Sequence, residues 1–172
     1  GLGPGDAGLL TRQAWELLQH TPVLYLRTAI HPTVAGLPPT TELRSFDARY
    51  ETAGAFGEVY AQIVSELIER AASGESLVYA VPGHPLVAEA TPRHLLAQAR
   101  ARGITTQIVA GVSFIEPVCA ALGFDPLEHG LQLLDALDLV PAATDDRLPI
   151  TTAQADANPS SDGDRQPSAS WA

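Results

Sequence analysis

The chain has 172 residues, 45% of them hydrophobic, and a formal net charge of −10. That length suits one ordinary domain with a real core, and an acidic surface repels phosphate backbones, which argues against nucleic-acid binding. No stretch approaches the roughly 20 apolar residues that span a bilayer, no signal-peptide pattern leads the chain, and the single cysteine, Cys119, excludes an internal disulfide and a cysteine zinc cage. A soluble, cytoplasmic protein with no membrane partner is expected.

The chain has no methionine and opens on a glycine-rich turn at Gly1, so a fragment is expected. In α/β proteins such a turn follows a buried strand, and that first strand is expected to be missing. Thr11 is a plausible N-cap for a helix over 11–19, where Ala14, Trp15, Leu17 and Leu18 fall at helical spacing. VLYL (23–26) is a short apolar strand, His31-Pro32 and Pro38-Pro39 mark a loop, and ELRSF (42–46) alternates as a second strand. Residues 56–70 form the clearest helix: Phe56, Val59, Tyr60, Ile63, Val64, Leu67 and Ile68 follow one stripe, with Glu58, Glu66 and Glu69 on a solvent face.

SLVYAV (76–81) reads as a central parallel strand buried on both faces, running into PGHP. Thr91-Pro92, as N-cap and first helical position, open a helix to about Arg102, with Gly103 as its stop. TTQIVA (105–110) is the next expected strand, followed by GVS, a helix over FIEPVCAALG ending at Gly123, and a strand or strand-to-helix segment at 130–137. The β-α-β-α order predicts a mostly parallel α/β sheet flanked by helices. The expected domain covers 1–140, and the Pro-, Ser- and Asp-rich stretch 141–172 is expected to be a disordered tail or linker.

Parallel sheets bind ligands where strand C-termini meet helix N-termini. Three glycine-containing turns fall there: Gly3-Pro4-Gly5-Asp6, Pro82-Gly83-His84-Pro85 and Gly111-Val112-Ser113. Each is also compatible with a plain tight turn. A dinucleotide or phosphate cradle is disfavoured, because Pro4 lacks an N–H, Asp6 is acidic and the P-loop lysine is absent. Asp6 suits a ligand with a cationic or hydroxyl-rich part. His20, His94 and His129 have no ligand spacing, so no metal site is assigned.

These motifs carry a resemblance. GLGPGDAGLLTRQAWELL resembles the opening motif of the tetrapyrrole methylase family. YLRTAIHPTV, VYAVPGHPLVAEAT, VAGVSFIEPVCAALGFDP and GLQLLDALDL resemble the methylase-like domain at the N-terminus of MazG-type nucleotide pyrophosphohydrolases. The resemblance runs from Gly1 to about Val140 and implies the N-terminal half of a two-domain methylase fold. S-adenosylmethionine would then bind between the domains, and a small-molecule methyl acceptor and a homodimer are implied with it. Carried over by motif, Pro4, Gly5 and Asp6 would line the donor cleft. Pro82, Gly83, His84 and Val87 would form the second loop, at the sulfonium side, and Ser113 and Phe114 the third contact. His84 stands where methylases generally have Asp; the pyrophosphohydrolase-linked branch shares the His. Glu66 and Glu69 give an E-x-x-E, but no glutamate has an Asp three residues later, so the hydrolase carboxylate cluster is not expected here. The alternative to a methyltransferase is a non-catalytic ligand-sensing or assembly module of such a pyrophosphohydrolase.

Overall fold

The structure, a computed structural model, describes residues 1–52, 56–135 and 150–153. Three strands, β1 (Val23–Leu26), β2 (Glu42–Ser45) and β3 (Val78–Ala80), form a parallel sheet in the order β2-β1-β3. Leu24 aligns with Leu43 on one side and Val78 on the other. The central position of β1 follows from its sequence, since Leu24, Tyr25 and Leu26 are all buried. β2 is an exposed edge whose Glu42 and Arg44 discourage further pairing.

Side-chain alternation along β1 sorts the core into two layers. Leu24 and Leu26 pack with Leu2, Leu18 and Ala80 beneath α1 (Arg12–Gln19). Tyr25 faces the other way, onto Phe46, Tyr60, Ile63 and Leu67. That second layer is covered by α3 (Phe56–Ala72), which follows α2 (Asp47–Thr52). Val59, Tyr60, Ile63, Val64, Leu67 and Ile68 are all buried, the stripe that the 56–70 spacing predicts. Next to α3 lies α4 (Ala90–Ala101), where Ala99 meets Val64 and Ile68. Thr11 caps α1 by accepting from the Ala14 N–H at 3.2 Å. Gly123 ends α5 (Ile115–Leu122) in the left-handed conformation, φ 60°.

Four expectations are corrected. TTQIVA (105–110) is not a strand: it has no ladder neighbour, because a cleft of about 500 Å³ separates it from β3. For the same reason β3 is the edge of the paired strands, not their centre. Thr91 does not cap α4, which starts two residues earlier than expected, at Ala90 behind Glu89; its hydroxyl pairs with Tyr79 Oη at 3.0 Å instead. Within the expected tail, Ile150–Ala153 forms strand β5, parallel to β4 (Gln132–Asp135) after the short α6 (Pro126–His129). The rest of 141–172 lies outside the described residues. Among the described residues no helix is long and apolar enough to cross a membrane.

Candidate functional site

β3 ends at the edge where the three glycine turns gather. Backbone bonds join the first two glycine turns directly. Gly3 N–H donates to Gly83 C=O at 3.2 Å, and Gly83 N–H returns to Gly3 C=O at 2.8 Å. Leu2 N–H reaches Val81 C=O at 2.8 Å just below. The third turn closes against them: a Cβ on Gly111 would stand 2.2 Å from Gly83 O, so glycine alone permits the approach. Thr11 Oγ1 donates to Ala110 C=O at 2.9 Å and ties α1 to the same turn. Gly3 and Gly83 hold φ of 72° and 61°, a conformation that disfavours side chains.

The side chains of these turns mostly organise the turns themselves. Asp6 is exposed and caps its own loop, accepting from Gly8 N–H at 2.8 Å. Gly5 lies against Pro32, so the Pro4-Gly5 turn rests on the segment after β1. His84 Nδ1 accepts from Leu86 N–H at 3.1 Å, which ties the ring to its own loop. Val87 N–H closes the same loop onto His84 C=O at 3.0 Å. Ser113 is buried; its hydroxyl donates to Glu116 at 2.6 Å and accepts from Ile115 N–H at 3.0 Å. That bond, ahead of a smaller attraction from His84, holds the Glu116 carboxyl below its ordinary value, so the edge carries an ionised acid beside the second loop. Phe114 stands at the N-cap of α5. The structure thus brings Gly83, His84, Ser113 and the GPGD backbone together. Pro4, Pro82, Val87 and Phe114 share the loops without a cross-loop bond of their own.

A second polar group at this edge is hidden in the sequence. Glu89 is buried (8% exposed), and its Oε1 lies 3.4 Å from Arg27 Nε just past β1. Burial pushes its carboxyl up to about 7, with Arg27 pulling the other way. The turn that delivers it includes Ala88, which has φ 54°, a strained value for a residue with a Cβ. On the next turn, Asp47 accepts from Ala29 N–H at 2.8 Å and pairs with Ser45 Oγ. Burial alone would raise Asp47; hydrogen bonds from Ser45, Thr28 and Ala29 outweigh it and hold the group below its usual value. His31 Nδ1 and Thr33 Oγ1, behind the Gly5–Pro32 contact, are buried with no hydrogen-bond partner. A sequence signal for Glu89 exists: it is the one charge between Leu86 and Thr91, in an otherwise apolar run.

Comparison with known proteins follows the same lines. Residues 1–158 match the model of the Tetrapyrrole (Corrin/Porphyrin) Methylases. The "Uncharacterized protein YabN" of Bacillus subtilis is 40% identical over 137 residues, covering 79% of this chain and 28% of that protein. The siroheme synthase of Baumannia cicadellinicola is 30% identical over 129 residues, 75% of this chain and 27% of its own length. The chain therefore spans little more than a quarter of either relative. In fold, the uroporphyrin-III-C-methyltransferase of Thermus thermophilus superposes with a TM-score of 0.64 at 23% identity, over 89% of this chain and 65% of its own. The methyltransferase CobJ gives 0.60 at 24% identity, over 80% and 54%. The chain belongs to the tetrapyrrole (corrin/porphyrin) methylase family.

Proposed function

We propose that this chain forms one wall of the donor cleft of an S-adenosylmethionine-dependent methyltransferase that acts on a small-molecule acceptor. The observation that carries the reading is the convergence of three glycine turns on Gly83, through the reciprocal Gly3–Gly83 bonds and the Gly111 approach. S-adenosylmethionine is the methyl donor of the family, and it supplies an electrophilic methyl on a sulfonium. The donor set at this edge fits such a group. It presents loop carbonyls, the ionised Glu116 and the acidic Asp6, with no lysine or arginine on the three turns to repel a cation. Pro4, Gly5, Asp6, Pro82, Gly83, His84, Val87, Ser113 and Phe114 are the residues proposed to line it. Their work is positioning: turns locked by backbone bonds hold two reactants in line without reorganising. Residues 1–140 would form the N-terminal domain of that enzyme. A homodimer belongs to the same reading and is read by sedimentation.

Isothermal titration of S-adenosylmethionine and S-adenosylhomocysteine tests it, first on this chain and then on a version joined to a second α/β domain. Binding at about 1 mM or tighter, near −4 kcal/mol, is expected in at least the second case. No heat from either ligand in both proteins refutes the donor reading. His84→Asp adds a carboxylate to the second loop and is expected to tighten binding of the sulfonium form over S-adenosylhomocysteine, which lacks the charge. Equal affinities before and after would remove the second loop from the contact. One observation favours a second reading, a ligand-sensing or assembly module beside a pyrophosphohydrolase: the loop offers an imidazole, already bonded to Leu86 N–H, where a carboxylate would serve a sulfonium better. Binding of donor without turnover of any tetrapyrrole acceptor is the outcome that selects it.

A further inference from the structure

The second loop, residues 82–89, joins β3 to α4 and is tied down at both ends. At its start Gly83 exchanges backbone bonds with Gly3, at 3.2 and 2.8 Å. Within it, Leu86 N–H and Val87 N–H both donate to His84, bonds that shape the loop without fixing it to the sheet. At its end Glu89 turns inward, where its Oε1 lies 3.4 Å from Arg27 Nε. Arg27 is itself fixed. It follows Leu26 directly out of β1, and its N–H donates to Ala80 C=O at 3.0 Å. Asp47, just past β2, attracts the same guanidinium and helps keep it at this edge. The Arg27–Glu89 pair thus joins the far end of the loop to β1, the middle of the three paired strands.

Three local preferences are broken to make that joint. Glu89 stands at the N-cap of α4, yet its side chain bonds no helix N–H, a task that Ser, Thr, Asp or Asn would perform there. Ala88 holds φ 54°, a left-handed value that glycine would adopt without strain. The Glu89 carboxyl is buried, so its ionised form loses water and its pKa rises to about 7 against the pull of Arg27. A serine cap behind a glycine would start α4 with none of these penalties. Strain and a buried charge gathered at one turn, beside a ligand-binding edge, point to a conformation held for what the loop does.

We propose that Arg27 and Glu89 are positioning residues of the second loop: their pair clamps its downstream end to β1 and so sets where His84 and Val87 stand against a ligand on the glycine turns. The proposal rests on the donor-cleft reading for that ligand, while the clamp itself is a property of the loop. Neither residue needs to touch the donor. They act through the backbone of residues 84–88, which is free to shift between its two anchors once the second is released.

Glu89→Gln at pH 8 releases the clamp with little change of shape, and two measurements follow it. Amide exchange at Leu86 and Val87 is expected to quicken about tenfold, while Ala99, inside α4, stays unchanged. In whichever form of the chain binds the donor, the dissociation constants of S-adenosylmethionine and S-adenosylhomocysteine should both rise about fivefold, although the melting temperature rises as well. Weaker binding by a more stable protein is not what loss of a merely structural pair produces. Unchanged exchange overturns the clamp whatever the donor does. Faster exchange with unchanged affinity overturns its positioning role, and so does weaker binding that comes with a lower melting temperature. A loss confined to the sulfonium form would show that Glu89 acts through its charge alone, and overturns the proposal too. If no form of the parent binds either ligand, the donor reading fails by itself and exchange still decides the clamp.

Discussion

Glu89→Gln isolates the energetic effect of a buried acid beside the candidate site. In the folded chain burial raises the Glu89 carboxyl from an ordinary 4.5 to about 7, and the Arg27 guanidinium 3.4 Å away offsets only part of that. Below about pH 4.5 the group is protonated whether the chain is folded or not, and it costs nothing. Between 4.5 and 7 the unfolded chain releases the proton while the folded chain keeps it, so stability falls as pH rises. The full loss is reached above 7. A shift of about 2.5 units at 1.36 kcal/mol each amounts to roughly 3 kcal/mol, an upper value because the folded site relaxes. For a chain of this size that corresponds to about 6–12 °C in melting temperature. Glutamine imitates the protonated acid, so the variant should lie within about 1 kcal/mol of the parent near pH 5 and exceed it by several degrees at pH 8. The Gly1 amine, lowered by burial to about 6, works with the opposite sign between 6 and 8, but it is common to both proteins and cancels in the difference. Thermal melts followed by circular dichroism at pH 5.0, 6.5 and 8.0 supply the measurement. A difference between the two proteins that stays constant across that range would refute the assignment of a raised carboxyl to Glu89.

Gly111→Ala and Gly103→Ala separate steric contact from backbone strain. At Gly111 the new Cβ would meet Gly83 O at 2.2 Å, and the three turns must part, so donor binding should be lost together with about 2 kcal/mol or more of stability. Gly103 has φ 67° and open space around it, so its substitution should cost about 1 kcal/mol and leave binding alone; equal effects in urea melts and titrations would contradict the turn packing. Ser113→Ala removes the acceptor of Ile115 N–H and the donor to Glu116. A loss of about 1–2 kcal/mol is expected, with the Glu116 carboxyl titrating at higher pH by NMR, and an unmoved titration would show that Ser113 does not hold it.

Periodicity disclosed α3 fully, because one face of that helix does nothing but pack: the stripe from Val59 to Ile68 has no competing role. The three glycine turns were legible for a similar reason, since Gly83 and Gly111 stand where a Cβ is excluded by conformation or by contact. β3 shows the limit. SLVYAV reads as a central strand because apolarity records the helices above and below it, whereas ladder neighbours leave no mark on side-chain type. Its composition anticipates a partner on the cleft side, and the described residues place none there. TTQIVA fails as a strand on the same ground, having the residues of a strand without the backbone to bond to. Glu89 is marked in the sequence only as a lone charge in an apolar run, and its burial is not legible there. Its burial is imposed by the turn at Ala88 and by Arg27, some sixty residues earlier in the chain, and neither is visible in a local window.

The cleft and the glycine edge meet at Gly1–Gly3, and this places their energetics in one circuit. The rung from Leu2 to Val81 sits one residue below the Gly3–Gly83 bonds, so the end of β3 and the first glycine turn are fixed to each other. Among the described residues, 105–110 are tied to the rest mainly through Val109 to Gly1 and Ala110 to Thr11, both close to the third turn. The Ser113–Glu116 pair therefore rides on a segment whose far end has no ladder.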